Sequence, residues 1–309
     1  MDEQGAPAHG CSYLAGLLGD PLTATATEAR AWLLVEHPGP WGKDALADSD
    51  LPAGFVRAVT ERMKATGVRV QLMSPPEGRA PSRCLLAGDP IPGTPWLASL
   101  PIDDLWSILD LDFAALADGR VPAGATPVSE PLYLVCANDR SDPCCGRAGP
   151  AVFAAVRERV GDRCRRTAHV GGHKYAANMV AFPYAVFYGR LDPAVALDVV
   201  TAHDQGLLYL DRYRGRSAYD LPEQAAEHFL RNETGHGGLS GLDLLRRATP
   251  AGDDRYASVF GLDGTTYEVV VSSRRRGPAR LQSCTDARPT LPVEWKLDAV
   301  VVEPVGAAR

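Results

Sequence analysis

Apolar positions along the chain fall into short runs separated by turn-forming residues. W-L-L-V-E-H (32–37) is an apolar run that ends at the turn P-G-P-W-G, the pattern of a buried strand. In L-P-A-G-F-V-R-A-V-T-E-R-M-K-A-T-G (51–67), Phe55, Val56, Val59 and Met63 recur near the helical period and Gly67 supplies the stop. V-R-V-Q-L-M (68–73) and R-C-L-L-A-G (83–88) read as strands. The plan then repeats. P-L-Y-L-V-C (131–136) reads as a strand and A-N-D-R-S-D-P-C-C-G as a polar loop. A-V-F-A-A-V-R-E-R-V (151–160) reads as a helix with Val152, Phe153, Val156 and Val160 on one face. R-C-R-R-T-A-H-V (163–170) and M-V-A-F-P-Y-A-V-F-Y (179–188) predict strands around a Gly-Gly turn. D-P-A-V-A-L-D-V-V-T-A-H (192–203) predicts a closing helix with Pro193 near its first turn.

Strand, helix, strand pair, helix is the order of a thioredoxin-like unit, and it occurs twice. The expected fold class is therefore α/β (α+β), with two thioredoxin-like units in tandem and a small antiparallel β appendage. Four regions follow: a loose Gly/Ala/Thr-rich lead-in (1–28), an N-terminal unit (29–125), a second unit (126–238) and a β-rich C-terminal appendage (239–309). The appendage rests on D-R-Y-A-S-V-F, T-Y-E-V-V-V-S-S and W-K-L-D-A-V-V-V, with turns at L-D-G-T and R-R-G-P.

Composition narrows the function classes. With 45% hydrophobic and 23% charged residues among 309, the chain reads as a soluble globular protein. A net charge of -6 argues against nucleic acid as a partner, and no apolar run approaches membrane-helix length. The acidic, small-residue N-terminus lacks the features of a secretory signal, so a cytoplasmic location is expected. The seven cysteines are odd in number and irregular in spacing, which disfavours a disulfide scaffold and favours metal or redox chemistry.

The chemistry concentrates in two loops flanking one predicted helix. C-A-N-D-R-S-D-P-C-C-G (136–146) carries Cys136 at a strand end and Cys145 just before the helix, with Gly146 allowing close approach. H-V-G-G-H-K (169–174) carries His169 and His173, with Gly171 and Gly172 between them. The glycines disfavour a helix and permit a turn at positive φ, so that the two imidazoles converge. Two Cys and two His suit zinc or an iron–sulfur cluster. Eight residues separate Cys136 from Cys145, wider than the usual gap of a structural zinc site. A thioredoxin-type C-x-x-C is absent. A structural zinc-binding interaction protein and a thiol oxidoreductase using Cys144 or Cys145 remain the alternatives.

C-x8-C followed by H-x-G-G-H resembles the sucrase/ferredoxin-like family, thioredoxin-like ferredoxins with a bis-histidinyl [2Fe–2S] cluster. W-L-L-V-E-H-P-G-P-W-G (32–42) and Y-R-G-R-S-A-Y-D-L-P-E-Q-A-A-E (213–227) are similar to further motifs of that family, and together these cover about residues 30 to 230. The resemblance implies a one-electron carrier rather than a stand-alone enzyme, with redox proteins as donor and acceptor. It implies Cys136 and Cys145 on one iron and His169 and His173 on the other. No carboxylate pair supports a glycosidase.

Around this set, Cys144 reads as a spare ligand, a redox thiol or a buried neighbour. Lys174, Arg214 and Arg216 are candidates for docking an acidic partner or offsetting the charge of a reduced cluster. Cys11, Cys84, Cys164 and Cys284 read as ordinary small apolar residues, although the basic run R-C-R-R would activate Cys164 if it were exposed. H-P-G-P-W-G, the counterpart of the Cys loop in the first unit, lacks Cys and reads as structural.

Overall fold

The structure is a computed structural model that describes residues 10–88, 93–286 and 288–303. A short helix, α1 (Gly10–Leu17), precedes the first unit, which comprises β1 (Ala31–Glu36), α2 (Ala53–Thr66), β2 (Val68–Met73), β3 (Arg83–Gly88), β4 (Trp96–Pro101), α3 (Phe113–Ala117) and β5 (Thr126–Pro127). The second comprises β6 (Leu132–Cys136), α4 (Pro143–Val160), β7 (Cys164–Thr167), β8 (Met179–Phe182), β9 (Val186–Tyr188), α5 (Pro193–Asp204), β10 (Tyr213–Arg216) and α6 (Leu221–Thr234). The remainder is β11 (Leu242–Pro250), β12 (Arg255–Leu262), β13 (Thr265–Arg275), β14 (Arg280–Leu281), β15 (Pro289–Thr290) and β16 (Val293–Glu303).

The first ten strands form one sheet in the order β10-β9-β8-β6-β7-β2-β1-β3-β4-β5. Within it, β2-β1-β3-β4 and β7-β6-β8-β9 follow the same thioredoxin-like plan. The first two strands of each unit pair in parallel and the next two add antiparallel. The units meet where β2 pairs antiparallel with β7 at Met73 and Thr167. Every residue of β1 and β6 is buried, as expected for strands covered on both faces. On one face α4 and α5 pack over Tyr133 and Val135 through Val152, Val156 and Val199. The opposite face buries Trp32, Leu134, Phe182, Phe187, Cys136 and Cys145 together. The C-terminal strands form a separate antiparallel sheet, β11-β12-β13-β16, with β14 and β15 as a small ribbon.

Four local readings differ from the structure. The lead-in is not loose from Gly10 onward, because α1 buries Cys11 and Ala15; residues 1–9 lie outside the described residues. The 179–188 run is two strands, since the chain reverses at Pro183–Ala185 and β8 pairs with β9. The 163–170 strand stops at Thr167, freeing His169 for the loop. Helix α4 starts at Pro143, eight residues before the start read from its apolar periodicity. Asp142 caps it by accepting from the Cys144 N–H at 2.8 Å, and Pro143 stands at the first helical position, where it has no N–H to satisfy. Cys144 and Cys145 thus lie in the first helical turn, not in a loop.

Candidate metal centre

Cys136 ends β6, where the alternation of the strand turns its side chain to the same face as Leu132 and Leu134. Cys145 rises from the first turn of α4 onto that face. The close approach of loop and helix requires glycine: a Cβ on Gly149 would lie 2.9 Å from the Ala137 Cα, and one on Gly146 would strike Asp139. The histidine loop crosses opposite, with Gly171 at φ 98° and Gly172 at φ 77°. A Cβ on Gly172 would lie 2.8 Å from the Arg214 guanidinium carbon. Both positions need positive φ, as the H-x-G-G-H pattern predicts.

The four side chains converge. Cys136 Sγ lies 3.9 Å from His169 Nδ1, and Cys145 Sγ lies 3.8 Å from His173 Nδ1. The two rings stack with centroids 3.6 Å apart and planes 9° from parallel. Thiols adjoin on one side and imidazoles on the other. Both cysteines are 0% exposed, whereas both histidines are half-buried. The hydrogen bond between the thiols divides one proton unequally. It holds Cys136 well below the usual thiol range and, together with burial, pushes Cys145 up. Burial, aided by His169, lowers His173 to about 4, so its imidazole is neutral near pH 7 and its lone pair is free for a metal. Two thiols and two imidazoles are the donor set of a soft or borderline metal.

Buried and half-buried polar side chains hold the histidine loop, and sequence reading missed most of them. Arg69 donates to the His169 carbonyl at 3.2 Å. Gln71 donates to Thr167 Oγ1 at 2.9 Å and to the Ala168 carbonyl at 3.0 Å. Thr27 donates to the Val170 carbonyl at 2.7 Å, and Asn178 to that of Gly172 at 3.0 Å. Arg214 donates to the Gly171 carbonyl at 3.2 Å and to Asn178 Oδ1 at 2.8 Å. Burial lowers Arg69 and Arg214 to about 10, where they still carry charge at neutral pH beside Cys136. The only sequence signal for this scaffold was R-G-R-S. Asn138, in the cysteine loop, donates to the Gly42 carbonyl at 3.0 Å, so the H-P-G-P-W-G turn braces that loop.

The basic residues singled out as docking candidates are not at the surface. Lys174 is buried and pairs with Asp20 at 3.0 Å. Arg214 and Arg216 are buried, the latter 3.6 Å from Glu227. Their long side chains serve internal carbonyls and carboxylates. Cys144 turns away from the four donors and meets Cys11 and Cys284. Cys84 and Cys164 are buried, and desolvation pushes each thiol up to about 12 despite the arginines beside Cys164.

Residues 22–215 match the sucrase/ferredoxin-like family. The altered inheritance of mitochondria protein 32 of Meyerozyma guilliermondii is 35% identical over 99 residues, 28% of this chain and 35% of that protein. Its counterpart in Clavispora lusitaniae is 29% identical over 101 residues, 30% of this chain and 37% of that protein. The matched stretches thus span about a third of these relatives' length. A thioredoxin-like [2Fe–2S] ferredoxin from Aquifex aeolicus aligns over 29% of this chain and 94% of its own, with 20% identity and a TM-score of 0.26. With the family match covering well over half of its residues, the chain belongs to the sucrase/ferredoxin-like family.

Proposed function

We propose that the protein is a one-electron carrier that holds a [2Fe–2S] cluster between Cys136, Cys145, His169 and His173. The observation that carries this reading is the sorting of the four donors, with thiols paired on the buried side and imidazoles paired opposite. That two-by-two layout suits a binuclear group in which each metal takes one pair. Membership of a family described as ferredoxin-like supports the same reading. The cluster supplies one-electron redox chemistry, and the protein supplies ligands, charge and exclusion of water. Arg69 and Arg214 offset the thiolate charge, and the first turn of α4 directs its positive end toward Cys145.

His169 and His173 present Nδ1 to the thiols, which leaves Nε2 of each ring to hold a proton. His169 lines a cavity with Lys43 and Arg69, and His173 lines another with Gln282 and Trp295, so the imidazole side is where proton and electron leave. The reading therefore includes a reduction potential that falls with rising pH in the alkaline range, and donor and acceptor proteins that approach the histidines. The seven cysteines are unpaired, consistent with a reducing compartment. Among the described residues no helix is long and apolar enough to cross a membrane.

The test is anaerobic purification from iron-replete cells with iron, sulfide and zinc analysis, absorption and EPR. About two irons and two sulfides per chain, lost in Cys145→Ser and retained in Cys144→Ser, are expected. A mononuclear zinc in the same donors is the second reading, favoured by the short Sγ···Nδ1 separations of 3.8 and 3.9 Å. Stoichiometric zinc at these four residues with no iron would establish it and overturn the cluster.

A further inference from the structure

Cys11, Cys144 and Cys284 are remote in sequence, and nothing in their spacing marks them as a set. The fold brings them together from three segments: the start of α1, the first turn of α4 and the stretch between β14 and β15. Cys144 Sγ lies 3.6 Å from Cys11 Sγ and 3.4 Å from Cys284 Sγ. Cys11 and Cys144 are buried and Cys284 is half-buried. Asp142 completes the group, with ligand atoms of all four residues within 4.8 Å of one another. These four are separate from the Cys136/Cys145/His169/His173 set.

We propose that Cys11, Cys144, Cys284 and Asp142 form a second metal site, which binds a structural zinc ion. Tetrahedral zinc with bonds of about 2.3 Å to sulfur puts its thiolates about 3.8 Å apart, close to the separations observed. A disulfide needs about 2 Å, and it would use two of three mutually adjacent thiols and strand the third. Three sulfur donors select a soft or borderline ion over magnesium or calcium.

The surroundings are built for thiolates. The Cys11 N–H donates to Cys284 Sγ at 3.2 Å, and Arg147 approaches Cys144 Sγ at 3.7 Å, offsetting negative charge. Asp142 is held by three donors: the Cys144 N–H, the Cys284 N–H and the Ser283 hydroxyl, each at 2.8 Å. A carboxylate accepts at about four positions, so these three leave one lone pair for a metal. Gly10, at φ 75°, lets the backbone close over the group, since a Cβ there would lie 2.7 Å from Cys144 Sγ.

The consequence is mechanical. Beside the group, Asp20 pairs with Lys174 and Arg280, and Arg190 donates to the Ala15 carbonyl at 3.1 Å. Zinc would pin α1 and the β14–β15 ribbon to the helical turn that carries Cys145. Such an ion contributes to folding directly, because the unfolded chain has no preformed site.

The experiment is metal analysis of the full chain, purified anaerobically without chelator from cells supplied with iron and zinc. Wild type should carry about one zinc per chain, and the double variant Cys136→Ser/His173→Ala should keep it, because structural zinc sites are closed and self-sufficient. In Cys284→Ser zinc should fall about tenfold or more while the absorption of the other centre persists. Zinc absent from wild type, zinc retained in Cys284→Ser, or zinc lost with the Cys136/His173 pair would each overturn the proposal. If Cys284→Ser does not fold, alkylation of wild type decides. A zinc chelator should raise the labelling of Cys11, Cys144 and Cys284 about tenfold. Unchanged labelling, or a Cys144–Cys284 disulfide in peptide maps, would overturn it.

Discussion

The two units share a strand order, a sheet and an orientation of their first helix, yet among the described residues the candidate donor set Cys136, Cys145, His169 and His173 lies in the second. After β1 the chain runs His37-Pro38-Gly39-Pro40-Trp41; after β6 it runs from Cys136 to Cys145. After β2 it runs Ser74-Pro75-Pro76-Glu77-Gly78; after β7 it runs from His169 to His173. The backbone plan therefore does not decide the chemistry; the loops at its ends do. The first unit is not idle. Its β2 extends Arg69 and Gln71 across the junction to hold the histidine loop, and its Pro-rich turn braces the cysteine loop through Asn138. One unit holds the candidate donors, and the other holds in place the loops that carry them.

The comparison breaks most sharply at the donors themselves. His173→Ala should abolish visible absorption and iron binding, whereas His37→Ala, at the corresponding edge of the first unit, should leave both unchanged. Equal losses in absorption spectra of the two variants would show that the first unit also binds the group.

Acid should separate the units next. His203 on α5 is buried, shares a hydrogen bond between its Nε2 and the Tyr188 hydroxyl at 2.7 Å, and is lowered by desolvation from 6.5 to about 4. Between those values the unfolded chain binds a proton that the folded chain refuses. Stability is therefore full above pH 6.5 and declines as pH falls toward 4, by up to about 3 kcal/mol. Hydrogen exchange should show β8, β9 and α5 losing protection before β1 and α2. His203→Gln should flatten the pH dependence of urea midpoints between 6.5 and 4, and an unchanged slope would remove His203 as its source.

A smaller effect tests the turn. Gly172→Ala forces a side chain into positive φ and against Arg214, which should cost about 2 kcal/mol in denaturant unfolding and lower metal occupancy. Gly78→Ala, also at positive φ but with open space around it, should cost about 1 kcal/mol and leave occupancy untouched. The smallest expected effect is on the first unit's hold on the histidine loop. Gln71→Ala removes the side-chain hydrogen bonds to Thr167 and to the Ala168 carbonyl, and it should speed loss of the metal to a chelator without changing the initial spectrum. Unaltered release kinetics would mean that the first unit does not steady the loop.

Much of this was readable in the chain. The repeated plan follows from β-branched and leucine-rich runs broken by Gly and Pro, because strands buried on both faces must be continuously apolar. The four candidate donors were legible because each pair is close in sequence, Cys136 at a strand end with Cys145 in the following helical turn, and His169 with His173 in one loop. Helix α4 was read too short because its first turn, Pro143 to Gly146, has no apolar period; a cap and a proline define it instead. The buried roles of Lys174, Arg214 and Arg216 were hidden for a related reason, since a charged residue reads as exposed until its partner is known. Asp20 and Glu227 stand far from some of these cations in sequence.

The sequence by itself determined the local terms: which segments extend or coil, where the backbone needs glycine, and which two short stretches bear sulfur and nitrogen. These depend on neighbours within a few residues, so periodicity and spacing record them. Tertiary structure alone decided that two units would share one sheet through Met73 and Thr167. It also decided that Arg69 would reach His169 across 100 positions, and that Cys11, Cys144 and Cys284 would meet. Such contacts arise when sheet faces and chain ends pack to exclude water, and packing depends on the shape of the whole molecule rather than on any short stretch of it.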